Sequence, residues 1–134
     1  MGLVIDTSAL VSLEKGRISG AGLPFGREPL VLPGIVWAEA LIGVYLADTP
    51  ERATRRRGFL EKIHMLVSIE PFGAEAAEHY AALYAELRKR GVRIPQNGLQ
   101  VASVAISLGY GVLARERDEQ HFRQIPNLRV ECLA

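Results

Sequence analysis

Cysteine is almost missing from this chain. Cys132 is the only one, so no internal disulfide can form, which suits a reducing compartment. It reads as a small, half-buried filler near the last strand, with a reactive thiol as the alternative. No apolar run reaches the ~18 residues that a membrane span needs, so no membrane partner is expected. Met1-Gly2-Leu3-Val4-Ile5-Asp6 puts a charge where a secretory signal would hold its apolar stretch, and a cytoplasmic protein is expected. A charge excess is missing as well. Sixteen Lys and Arg against fifteen Asp and Glu leave a net +1, so bulk charge announces no nucleic-acid binder. His64, His79 and His121 are scattered over three segments and suggest no zinc site. There is no internal repeat and no low-complexity stretch.

The apolar residues, 49% of the total, are spread along all 134 positions. That excludes disorder and predicts a single domain, 1–134, with a sizeable core. Leu3-Val4-Ile5 reads as a buried strand, and Asp6-Thr7-Ser8 as a turn leading into a short helix, Ala9 to Glu14. Lys15 to Pro29, with four glycines and Pro24, reads as a loop. Pro29 to Pro33 is a second strand, and a helix with Ile35, Val36, Ile42 and Leu46 at helical spacing follows. Thr49-Pro50-Glu51 starts another helix, running to about Met65 and burying Phe59, Leu60 and Ile63. Leu66 to Phe72 reads as a third strand. Ala74 to Arg90 reads as a helix with Ala77, Ala81, Tyr84 and Leu87 on one face, closed by Gly91.

A further helix is expected over Leu99–Leu108, then a strand at Gly111–Ala114, a short helix at Asp118–Gln124 and a strand at Leu128–Glu131. Such alternation predicts an α/β fold: a three-layer α/β/α sandwich around a central, mainly parallel sheet. Ligands then bind beyond the C-terminal ends of the strands.

Two acids stand where strands end. Asp6 directly follows the first buried run, and Asp118 repeats the arrangement beyond the fourth strand. Each is either a functional carboxylate or the N-cap of the next helix. Glu39 lies inside an otherwise apolar helix, between Trp37-Ala38 and Ala40-Leu41-Ile42. Burying it requires a positive partner, either an arginine or a metal ion shared with Asp6 and Asp118. Mg²⁺ is hard, takes oxygen ligands, and is usually held by one or two carboxylates plus water and substrate phosphate. A cation so placed polarises a phosphate and activates water. Arginines cluster at Arg52, Arg55, Arg56 and Arg57, at Arg88, Arg90 and Arg93, and at Arg115 and Arg117. Each cluster is either a solvated helix face or an attractor of phosphates.

Ile5-Asp6-Thr7-Ser8-Ala9-Leu10 followed by Trp37-Ala38-Glu39-Ala40-Leu41-Ile42-Gly43 resembles the opening of a PIN-domain nuclease, and more narrowly the VapC toxins of bacterial toxin–antitoxin pairs. The likeness continues through Ile94-Pro95-Gln96-Asn97-Gly98-Leu99-Gln100-Val101-Ala102 and Gly111-Val112-Leu113-Ala114-Arg115-Glu116-Arg117-Asp118. It ends at His121-Phe122 and Ile125-Pro126-Asn127-Leu128-Arg129-Val130. No single piece is specific; the ordered set is. The resemblance implies a Mg²⁺- or Mn²⁺-dependent ribonuclease, silenced by a cognate VapB-type antitoxin and forming a homodimer. Asp6, Glu39 and Asp118 would match the family's first, second and fourth acids. Thr7 or Ser8 would orient Asp6. Glu116 stands where many relatives carry Thr, as an extra acid or a surface residue. The antitoxin's tail would plug the acidic cleft, often with an arginine, and the arginine-bearing Glu51–Ile63 helix would be a candidate RNA contact.

The departure is Gly98, where relatives carry the third aspartate. It is expected at a helix start, whose partial positive charge repels a cation once no carboxylate offsets it. Asn97 is expected to cap that helix and to be a weak ligand at best. Gly98 is either a replacement that disarms a toxic nuclease or the mark of a naturally degenerate member. In either case the chain is expected to be impaired. The rival reading is a non-catalytic module that binds RNA or antitoxin without cutting. Other chemistries fail on their own residues. A dehalogenase-type phosphatase needs an aspartate where Ser8 stands, and a response receiver needs one where Phe72-Gly73 follows the third strand. Ser8 and Ser12 have no His-Asp partners for nucleophilic catalysis.

Overall fold

The computed structural model describes residues 1–16 and 28–133. The expected loop from Lys15 to Pro29 lies mostly outside them. In chain order the elements are β1 (Leu3–Ile5), α1 (Thr7–Gly16), β2 (Leu30–Pro33), α2 (Gly34–Tyr45), α3 (Pro50–Leu66), β3 (Ser68–Glu70), α4 (Ala74–Lys89), α5 (Gln96–Leu108), β4 (Gly111–Arg115), α6 (Gln120–Arg123) and β5 (Val130–Leu133). The five strands form one sheet in the order β3-β2-β1-β4-β5, with every pairing parallel. Leu3, Val4, Ile5, Leu32, Val112 and Leu113 are fully buried. A parallel sheet covered on both faces requires such continuous apolar runs. Sequence order reverses between β1 and β4, which lie side by side with Ile5 opposite Leu113. A crevice at the C-terminal ends of a sheet opens at such a reversal.

Several boundaries differ from the sequence-based expectation. Helix α1 begins at Thr7 rather than Ala9, because the Leu10 N–H already reaches the Asp6 carbonyl (3.0 Å). Helix α3 runs to Leu66, Val67 caps it, and β3 shrinks to three residues. Strand β5 starts two residues late. Asn127 makes a left-handed turn (φ 64°), and the Arg129 side chain binds Glu28 (2.9 Å). On α4 the buried face is Ala76, Leu83 and Leu87, whereas Ala77, Ala81 and Tyr84 face outward. In a stretch so rich in alanine, either stripe satisfies helical spacing.

Three of the four arginines of α3 are engaged locally, two with the end of α2 and one with the connection after it. Arg56 donates to the Gly43 carbonyl (2.7 Å), Arg57 lies over the Tyr45 ring (5.5 Å), and Arg52 pairs with Asp48 (2.6 Å).

Candidate active site

Asp6 leaves the end of β1 half-buried, and its Oδ2 accepts from the Ser8 hydroxyl (2.7 Å) and the Ser8 N–H (3.3 Å). The capping role is therefore real, since those bonds satisfy the start of α1. The same carboxyl also faces the crevice. Burial pushes its pKa above the ordinary carboxylate range, the Ser8 and Thr7 hydrogen bonds pull it back, and the charge of Asp118 pushes it further up. The Ser8 hydroxyl in turn accepts from the Arg115 N–H (3.1 Å), so one oxygen ties the end of β4 to the first acid.

Glu39 projects from α2 and is half-buried, which lowers the cost of keeping it charged. Its Oε1 accepts from the Thr7 hydroxyl (2.9 Å), and among the described residues no arginine pairs with it. The two hydroxyls thus divide the task that the sequence had given to either of them. Ser8 orients Asp6 and Thr7 orients Glu39.

Asp118 sits in the turn after β4, next to Arg117 in a left-handed conformation (φ 86°). It does not cap α6, which has no side-chain cap. Its Oδ2 instead accepts from Arg115 at 3.0 Å. The fourth place is Gly98, in the first turn of α5. That helix starts at Gln96, three residues before the expected Leu99, with Pro95 in the cap position and no side-chain cap. Asn97 is therefore an exposed first-turn residue and not a cap. A Cβ added at Gly98 would lie 3.6 Å from Ile94 Cγ2 and 3.8 Å from Phe122 Cζ, ordinary contact distances. A side chain fits there.

Asp6, Thr7, Ser8, Glu39, Asn97, Gly98 and Asp118 all line one cavity of ≈ 350 Å³. Glu116 does not line it; the residue is exposed and its N–H bonds the Leu133 carbonyl (3.0 Å). Arg115 and His121 do line it, and sequence reasoning assigned neither of them to the site. A signal existed. Each stands three residues from Asp118, on either side, within reach of one tight turn.

The donor set suits a hard divalent cation in kind. Three carboxylates line one cavity, and two of them, Asp6 and Asp118, are near enough for one to raise the other's pKa. Among the described residues no three acids, histidines or cysteines stand close enough to hold an ion by themselves. Mg²⁺ tolerates this, since one or two carboxylates with waters suffice. Asp6 and Glu39 bond only neutral hydroxyls and N–H groups, whereas Asp118 is engaged by a guanidinium.

The PIN domain family matches residues 3–128, so the chain belongs to the PIN-domain family. Within it the likeness is to VapC proteins. Ribonuclease VapC1 of Rickettsia felis is 32% identical over 130 residues, covering 97% of this chain and 95% of that one. Ribonuclease VapC of Rickettsia bellii is 32% identical with the same coverage. The crystal structure of VapBC2 from Rickettsia felis bound to a DNA fragment from their promoter superposes with a TM-score of 0.83 at 23% identity, covering 100% of both chains. VapBC-5 from Mycobacterium tuberculosis, a member of the VapBC family of toxin-antitoxin systems, gives 0.73 at 25% identity over 98% of this chain and 97% of that one.

Proposed function

We propose that the chain is the endoribonuclease toxin of a type II toxin–antitoxin pair, dependent on Mg²⁺ or Mn²⁺ and impaired by Gly98. The observation that carries this is the convergence of Asp6, Glu39 and Asp118 on one cavity at the strand ends. Relatives named ribonuclease over nearly the whole chain support it. Asp6 and Glu39 would hold the cation, with Asp118 joining once Arg115 lets go. The cation would supply charge against the phosphodiester and lower the pKa of a water. The chain's own residues orient and position. Ser8 fixes Asp6, Thr7 fixes Glu39, and the first turn of α5 brings Gly98 to the place where a further acid belongs.

A cytoplasmic setting, a homodimer and a VapB-type antitoxin complete the proposal. Structural neighbours that are toxin–antitoxin complexes support the partner. So does a second cavity, of ≈ 300 Å³, whose apolar floor of Leu10, Val11 and Phe59 runs up to Thr7 and Glu39. A tail lying there would reach the acids. No described helix is long and apolar enough to cross a membrane. Light scattering that finds only monomer at high concentration would remove the dimer.

Gly98 and the Arg115–Asp118 pair favour the second reading, a module that binds antitoxin or RNA without cutting. One experiment decides between them. Gly98→Asp should gain metal-dependent RNA cleavage and slow growth on expression. A variant that binds no Mn²⁺ and cuts no RNA ends the nuclease reading.

A further inference from the structure

We infer that the groove between the end of α4 and the start of α5 binds the backbone of single-stranded RNA beside the acidic cavity; the inference rests on the nuclease reading. The groove is a cavity of ≈ 540 Å³ with Arg88, Arg93, Tyr84, Ile94 and Leu99 in its wall, and no carboxylate lines it. Two guanidinium groups without an acid between them make a site for anionic oxygens. Their planar forks suit phosphate better than a point charge does. Neither arginine is spent elsewhere. Among the described residues neither forms a salt bridge, and Arg88 makes one long contact, to the Tyr84 hydroxyl (3.4 Å).

The groove adjoins the acidic cavity, with residues 94 and 95 between them. Ile94 lines the groove and stands 3.6 Å from the place of a Gly98 Cβ, while Pro95 and Gly98 line the acidic side. A chain with one phosphodiester among the acids therefore passes over the Ile94–Pro95 ridge and meets the arginines next. The opposite route runs along the apolar floor of Leu10 and Phe59; its two cations, Lys15 and Arg56, share that wall with the carboxylates of Glu14 and Glu39, and Arg56 is already bonded to the Gly43 carbonyl (2.7 Å). Tyr84 is 48% exposed and lies nearly parallel to Tyr80 (centroids 6.3 Å apart, planes 20°), so its ring is held flat at the groove wall. A flat, fixed aromatic face beside cations is the platform on which unpaired bases stack. The acids would do the chemistry and the groove would hold the strand.

The test is fluorescence anisotropy with labelled single-stranded RNA and the full chain in EDTA, over a salt series. Each phosphate contact contributes about 0.7 to the slope of log affinity against log salt for single strands. Arg88→Ala/Arg93→Ala should therefore make the slope shallower by about 1.4, which is about a sevenfold smaller loss of affinity between 50 and 200 mM salt. Tyr84→Ala should weaken binding roughly tenfold with the slope unchanged, and Tyr84→Phe should restore it. Equal slopes for parent and double variant, or a parent that binds no RNA, overturn the inference. Its failure is separable from that of the nuclease reading. Cleavage by Gly98→Asp with unmoved slopes sinks the groove alone, and moved slopes without cleavage leave an RNA-binding groove on a protein that does not cut.

Discussion

The guanidinium of Arg115 holds a single oxygen of Asp118, Oδ2, through both Nε and Nη2, each at 3.0 Å. Both side chains are well exposed, at 46% and 39%, so the pair itself contributes little to stability, on the order of 0.2–1 kcal/mol. Its consequence is competitive. A cation cannot take that oxygen until the arginine leaves, and the positive charge beside the cavity opposes any cation that enters. Arg115→Gln in the Gly98→Asp background should therefore bind Mn²⁺ about two- to fivefold more tightly, the factor matching the strength of an exposed pair. Titration followed by electron paramagnetic resonance reads this directly. Unchanged binding would show that Arg115 does not guard the site, and weaker binding that it assists it.

Asp6 makes folding pH-dependent with an unusual sign. Its pKa is raised in the fold, chiefly by burial, so between the ordinary carboxylate value and the raised one the folded chain holds a proton that the unfolded chain has lost. Stability attributable to Asp6 is then lost as pH rises through that window. Asp6→Asn keeps an oxygen for the Ser8 donors and removes the charge. It should melt higher than the parent at neutral pH, with the gap closing as pH falls below the carboxylate range, while cleavage by the Gly98→Asp form is abolished. A lower melting temperature at pH 7 would mean that the Ser8 hydrogen bonds outweigh the burial cost.

Much of this was legible in the sequence, and the boundary of legibility is physical. Buried parallel strands announce themselves as short apolar runs, and Leu3–Ile5 and Gly111–Ala114 could hardly be anything else. Asp6 and Asp118 were found for the same reason, as charges directly after such runs. The capping of α5 was misjudged because asparagine is a good cap in general. Here Pro95, with its fixed φ, takes the cap position and the helix begins at Gln96. The outward stripe of α4 was mistaken for the inward one because alanine carries almost no facial information. The pairing of Arg115 with Asp118 was not legible because it depends on a tight turn after β4, made by Arg117 in a left-handed conformation that L-residues other than Asn, Asp and Gly seldom adopt.

Thr7 should matter for Glu39 and not for the fold. Its hydroxyl is the one described hydrogen-bond partner of the Glu39 carboxylate (2.9 Å), across 32 residues of sequence. Supporting partners of a metal ligand are each worth ~10–100-fold in affinity or activity. Thr7→Val, which keeps the shape and removes the hydroxyl, should lower Mn²⁺ affinity and cleavage of the Gly98→Asp form about tenfold. Thr7→Ser should retain both. A Thr7→Val variant that loses melting temperature in proportion to activity would point to a packing role.

Gly98→Asp should reveal its effect on stability only when a cation is supplied. Without one, opposing terms nearly cancel. An acid in the first turn of α5 gains about 0.3–1 kcal/mol from the helix end, and leaving glycine gains a few tenths in helix propensity. Repulsion from Asp6 and Asp118 in the same cavity offsets both. The new side chain meets Ile94 and Phe122 only at ordinary contact distance, so strain adds nothing. With Mg²⁺ at about a hundred times the variant's dissociation constant, binding stabilises it by about 2.7 kcal/mol. If the missing ligand weakens the parent's binding ~10–100-fold, the same Mg²⁺ gives the parent roughly 0.4–1.4 kcal/mol. The difference corresponds to several degrees in melting temperature for a chain of this size. Thermal melts of both proteins in EDTA and in Mg²⁺ measure it without any reference to RNA. Equal Mg²⁺-induced shifts would mean that position 98 is not a place for a ligand, whatever the family resemblance suggests.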